Sequence, residues 1–332
     1  MAMIYFDNSV LDEIANQSAG GRVKSLLKRA GITALGSVQN LTETLRIEDD
    51  EHRARLVRAI LQVARSHERD PLEHRAALAL VGQIRAHHPD WVNPEPRLNS
   101  MRENLAWFPL TWERLKRDPT YRPRGLLGSR RLNEGNIAES LRRQRAWRQT
   151  RLKGEPIGTT IIDPDGHLTP LLQALPPLEA HWRERWGAST WSALVKRDRM
   201  LLDVHEWLAP YLLTKRLDPE SWLRFWLVEA DARALAIRRV QGLTAYFQAE
   251  FGRITAGNAG DINHAGYAVE VSRFFTADRL FYRVLSAVEQ QPNLKVARPV
   301  LLDRAAPDVV EEVMVALQRD QLLSRERRSH FV

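Results

Sequence analysis

Short apolar runs alternate with helical periodicity at both ends of the chain, and the middle lacks this pattern. That contrast narrows the fold more than any other feature. Near the N-terminus Met3–Phe6 reads as a strand, followed by a helix from about Val10. A helix from about Arg22 to Arg29 leads to Ile32–Leu35, which reads as a second parallel strand. Ser37 is placed to cap a helix running through Glu43 to Leu45. Leu56, Ile60, Val63 and Ala64 recur at helical spacing, and a further helix is expected from Leu72 to about Ala86. Toward the C-terminus, Gly257, Gly260 and Asp261 open a helix to about Val271, and Phe274–Thr276 reads as a buried strand. A helix from Arg279 to Val288, a strand near Val296–Leu302 and a last helix through Val310, Val313, Met314 and Leu317 follow. This alternation predicts an α/β fold, a parallel sheet flanked by helices and assembled from both chain ends.

The middle has a different composition. All ten tryptophans lie between Trp91 and Trp226, which predicts a mainly helical insertion over residues 91–229 between sheet-forming halves at 1–90 and 230–332. Trp222, Phe225 and Trp226 fall at helical spacing and read as core rather than as a base-stacking platform. Pro94, Pro96 and Pro109 argue against a helix running straight through their stretch. Thr159–His167 reads as a hairpin whose Asp163 and Asp165 serve the turn rather than a metal.

Charge supplies the first functional clue. Residues 101–155 hold fourteen Arg or Lys against six Asp or Glu, which accounts for the whole net charge of +8. A basic block in an otherwise neutral chain suggests a polyanionic partner, nucleic acid before others; a solvated Arg-rich face is the plainer alternative. Arg142, Arg143, Arg145, Arg148 and Arg151 are its densest part. The chain has no cysteine, which excludes disulfides, thiolate metal sites and a cysteine nucleophile. No apolar stretch is long enough to span a membrane, and Met1–Leu11 lacks the pattern of a secretory signal. A soluble, cytoplasmic protein is expected.

Parallel sheets present functional groups at the carboxyl ends of their strands. Asp7 and Asp278 stand there, Asp261 sits near a helix start and Glu43 lies on the helix after the second strand. Singly, the last three have ordinary explanations as a helix cap, a solvated acid or a strand stop. Their order changes the reading. Ile4-Tyr5-Phe6-Asp7-Asn8-Ser9 resembles the opening of PIN-domain nucleases, and Ser37 to Glu43 resembles their second motif. Asp261 to Ala268, then Phe274-Phe275-Thr276-Ala277-Asp278-Arg279, is similar to their last two motifs, with Thr276 two residues before the final Asp. The likeness covers roughly residues 3–85 and 230–320. Asn8 stands where many members carry Thr, and the Trp-rich insertion is foreign to a minimal PIN domain. A haloacid dehalogenase is a competing explanation of the first strand, but Ser9 occupies the place of that family's second Asp.

The resemblance implies a metal-dependent endonuclease acting on nucleic acid, RNA slightly favoured over DNA. Hard cations such as Mg²⁺ or Mn²⁺ favour carboxylate oxygen ligands. Asp7, Asp261 and Asp278 would then be ligands, with Glu43 a ligand or an orienter of the attacking water. Thr276 would hold the scissile phosphate or a water of the metal, Ser9 would contact substrate, and His264 would serve helix packing before substrate contact. A regulatory protein partner is compatible with this reading. The alternative is a nucleic-acid-binding or adaptor protein whose PIN-like domain is inactive.

Overall fold

The computed structural model describes residues 2–123 apart from 69 and 97, then 167–198, 201–251 and 257–318, with positions 142, 145, 146 and 149 between them. The strands are β1 (Ala2–Phe6), β2 (Ile32–Gly36), β3 (Ala64–His67), β4 (Arg273–Thr276) and β5 (Arg298–Leu301). They form one five-stranded sheet in the order β3-β2-β1-β4-β5, parallel at every pairing. The N-terminal half supplies β1 to β3. The C-terminal half adds β4 and β5 to the other edge of β1.

The helices of the first half are α1 (Asn8–Asn16), α2 (Gly20–Arg29), α3 (Val38–Leu45), α4 (Asp50–Val63), α5 (Leu72–His87) and α6 (Asn99–Arg117). The middle contributes α7 (Thr169–Gln173), α8 (Pro177–Leu194), α9 (Leu202–Leu208) and α10 (Pro219–Arg224). The last part has α11 (Ala236–Phe251), α12 (Gly257–Ala265), α13 (Arg279–Glu289) and α14 (309–318). Among the described residues, no helix is long and apolar enough to cross a membrane.

Side chains alternate across a strand, so the central strands β1, β2 and β4 each feed two cores. Ile4, Phe6, Ala34 and Phe275 face a core built with α1, α2, α4 and the apolar side of α6. Tyr5, Leu35 and Phe274 face the other way, and Trp182, Trp186, Trp222 and Trp226 pack in that same core. These four tryptophans therefore cover one face of the sheet together with Tyr5, Leu35 and Phe274 rather than closing a separate core of their own. Trp222, Phe225 and Trp226 are fully buried, as core residues should be.

Two local expectations need correction. Pro94 and Pro96 precede α6, but Pro109 lies inside it. Proline removes one donor and disfavours a helix interior; here tertiary packing outweighs that cost. Phe108, Trp112 and Leu115 are buried, and the Trp112 ring reaches so close to Gly36 that a Cβ there would stand 2.5 Å from it. The second correction is β3, which begins at Ala64 where helical spacing placed the end of α4. The expected Thr159–His167 hairpin falls, apart from His167, outside the described residues.

Candidate functional site

The strand order reverses between β1 and β4, and ligands of open α/β sheets bind beside the carboxyl ends of strands at such a point. Asp7 follows β1 and caps α1; its Oδ1 accepts from Ser9 Oγ at 2.6 Å and from the Val10 amide at 3.2 Å. The Ser9 hydroxyl also accepts from the Ala277 amide at 2.8 Å, joining the ends of β1 and β4. The Thr276 hydroxyl accepts from the Asp278 amide at 3.0 Å and bonds to Asp7. Asp278 caps α13, its Oδ1 accepting from the Leu280 and Phe281 amides at 2.8 and 2.9 Å. The hydroxyls of Ser9 and Thr276 thus serve the two aspartates, Thr276 from a fully buried position.

Glu43 lies on α3, opposite α12. Ser37 caps α3 as the sequence predicts, its Oγ accepting from the Asn40 amide at 2.9 Å, and Asn40 completes a capping box. One oxygen of Glu43 accepts from Asn8 Nδ2 at 2.8 Å and His264 Nε2 at 2.9 Å; the other accepts from Gln39 Nε2 at 2.5 Å. Asp261 projects from α12 and accepts from Gln248 Nε2 on α11 at 3.2 Å. Gly260 allows the close approach of α12 to α3, since a Cβ there would stand 2.4 Å from Glu43 Oε1. The fold therefore gathers Asp7, Glu43, Asp261 and Asp278 at one end of the sheet.

Electrostatics shows how closely they interact. Burial, then the charges of Asp278, Asp7 and Glu43, outweigh His264 and push Asp261 up to about 7. Burial also raises Asp7, against hydrogen bonds from Ser9 and Thr276. Burial would raise Glu43 too, but the charge and hydrogen bond of His264, helped by Gln39, bring it below its ordinary value. His264 is pulled down by burial and lifted further by Glu43, Asp7 and Asp261, ending above its ordinary value.

Proton counting agrees. Asn40 Nδ2 donates to the Phe6 carbonyl at 3.1 Å, which fixes the amide so that its Oδ1 accepts from Ser37 Oγ at 2.8 Å. The Ser37 proton is thereby used, so Tyr5 must donate its own proton to Ser37 at 2.8 Å. His264 Nδ1, 2.6 Å from the Tyr5 oxygen, is left as the donor there while Nε2 donates to Glu43. In this hydrogen-bond pattern both ring nitrogens carry protons.

The donor chemistry suits a hard divalent cation: the aspartates offer oxygen only, and Asp278 and Asp7 are near enough to raise Asp261. Their spacing is more open. Among the described residues, no group of three or more His, Asp or Glu stands close enough together to grip an ion as placed.

Of the dense arginine run in the basic block, Arg142 and Arg145 are described and exposed. Arg143, Arg148 and Arg151 lie outside the described residues. Sequence reasoning missed Glu68, a buried acid directly after β3. Its carboxylate accepts from the Val38 and Leu72 amides, both at 2.9 Å, and from the Tyr267 hydroxyl at 2.6 Å, tying the starts of α3 and α5 together. Burial, against these bonds, pushes it up to about 7. Asn8, Gln39, Asn40 and Gln248 were missed as partners of the acids because amide spacing carries no recognisable signal. Comparison with protein-family models, with curated proteins and with solved structures gives no significant match.

Proposed function

We propose that this chain is a divalent-metal-dependent endonuclease hydrolysing phosphodiester bonds in nucleic acid, with RNA favoured slightly over DNA. The observation that carries the reading is the convergence of Asp7, Glu43, Asp261 and Asp278, electrostatically coupled, at the switch point of a parallel sheet. Asp7, Asp261 and Asp278 would hold Mg²⁺ or Mn²⁺, which supplies charge compensation at the phosphate and a water acidic enough to react near neutral pH. Glu43 already accepts from three side chains. That occupancy suits it better to orienting the attacking water than to direct ligation. Thr276 and Ser9 hold the aspartates in place, and the basic block over residues 101–155 draws the polyanion in.

The open spacing of the acids favours a second reading, a nucleic-acid-binding or adaptor protein without cleavage activity. Incubation with labelled single- and double-stranded RNA and DNA separates the two. Cleavage that needs Mg²⁺ or Mn²⁺ and stops with EDTA supports the nuclease. Retention of nucleic acid without cleavage under either cation establishes the binding protein.

A further inference from the structure

We propose that Tyr5 and His264 are positioning residues that hold the Glu43 carboxylate toward Asp261, a role that rests on the nuclease reading above. Six side chains close a ring of hydrogen bonds beneath the site. His264 links Glu43 to Tyr5, through contacts of 2.9 and 2.6 Å. Tyr5 donates to Ser37 at 2.8 Å and Ser37 donates to Asn40 at 2.8 Å. Asn40 donates to Asn8 Oδ1 at 2.9 Å, and Asn8 returns to Glu43 at 2.8 Å.

The members come from β1, α1, α12 and α3 with its cap, and beyond the Ser37–Asn40 capping box nothing in their spacing along the chain brings them together. Tyr5, Ser37, Asn40 and His264 are buried, whereas the Glu43 side chain keeps 27% of its surface exposed. The buried arc therefore ends on a carboxylate that reaches solvent among the other acids. A ring needed only for folding would have no reason to terminate there. Carboxylates at reacting centres need their rotamers locked by outer partners, and this ring fixes Glu43 from two sides. The Tyr5 ring stacks on Tyr267 at 4.8 Å and lies 4.9 Å from Phe274, so phenylalanine at this position keeps the packing and removes only the hydroxyl.

The test begins without metal. In isotopically labelled protein, NMR follows the ring nitrogens of His264 and the Glu43 carboxyl carbon in wild type, Tyr5→Phe and Asn8→Ser. Asn8→Ser opens the ring from its half-exposed side and spares the core. Both variants are expected to move the Glu43 resonance, and Tyr5→Phe to move His264 Nδ1. With Mn²⁺ and nucleic acid, Tyr5→Phe is expected to lower kcat about tenfold with KM within about twofold, the size typical of losing an outer partner. His264→Gln, whose amide can still donate to Glu43, should retain several-fold more activity than His264→Leu. A Glu43 resonance unmoved in both ring variants overturns the proposal, as do equal losses in the Gln and Leu variants. Wild-type protein that cleaves nothing defeats the nuclease reading instead, and the Glu43 resonance then decides the ring by itself.

Discussion

Replacing Gly260 with alanine sets two opposing effects against each other at one atom. Alanine in a helix interior is favoured over glycine by about 1 kcal/mol. At Gly260, however, the new Cβ would lie 2.4 Å from Glu43 Oε1, so the carboxylate must retreat about 1 Å to reach ordinary contact. That retreat stretches bonds now at 2.5, 2.8 and 2.9 Å from Gln39, Asn8 and His264 toward the limit of hydrogen bonding. Overpacking of this kind costs about 1–3 kcal/mol. The net expectation for Gly260→Ala is a change from nearly zero to about 2 kcal/mol of destabilisation, and a large loss of any activity that depends on Glu43. In a Glu43→Ala background the obstructing atom is gone, and the same substitution should stabilise by about 1 kcal/mol. Gly82 provides the control: it is exposed in the middle of α5 with nothing within 4 Å of a built Cβ. Gly82→Ala should raise Tm by roughly 2 °C in either background. Chemical denaturation of the four combinations of Gly260→Ala and Glu43→Ala measures the sign change. Equal stabilisation by Gly260→Ala with and without Glu43 would refute the close approach of α12 to α3.

Asp7→Asn and Asp278→Asn should each abolish metal-dependent cleavage while nucleic-acid affinity stays within about twofold; a gel-shift titration beside the cleavage assay checks both, and undiminished cleavage removes these residues from the mechanism. Mg²⁺ or Mn²⁺ should raise Tm, by the equivalent of about 2.7 kcal/mol at a hundredfold excess over Kd, and Asp261→Asn should blunt the rise; a scan indifferent to both ions would deny a cation site. Glu68 is held near 7 in the folded chain against an ordinary value of 4.5, so the folded state binds its proton more tightly. Its contribution is fully present below about pH 4.5 and is lost as pH rises through 7, about 3 kcal/mol over the window. Denaturation of wild type and Glu68→Gln at pH 5 and pH 8 should show the wild type losing more stability, and parallel behaviour would exclude the shift. Arg145→Gln with Arg148→Gln should flatten the salt dependence of log K by about 1–2; an unchanged slope would make the basic block a solvated or protein-facing surface.

The elements that could be read from sequence were those whose burial repeats regularly. Tyr5 and Phe274 sit in apolar runs that cannot face water, and Ser37 announces α3 because its hydroxyl is the group a helix start needs. β3 escaped notice because Ala64-Arg65-Ser66-His67 contains no apolar run and, as an edge strand, it pairs on one side only. Glu68 escaped with it. α6 runs through Pro109 because Phe108 and Trp112 bury themselves in the core, a tertiary gain invisible to local propensity. The four acids were legible as strand ends and helix positions. The pairing of His264 with Glu43 was not, since 221 positions separate them and only the folded sheet brings α12 over α3.

The insertion of β4 beside β1 also imposes a schedule on synthesis. The ribosome makes β1, β2 and β3 first, and they can pair at once, but the other flank of β1 has no neighbour until residue 276 has emerged. At about 5–20 residues per second, that wait is roughly 10–40 s. During it Tyr5 lacks both Phe274 and Tyr267, and Glu43 lacks His264. The nascent chain thus exposes a strand flank that other chains can seize, while its acid cluster stays half-built until residue 278 has emerged.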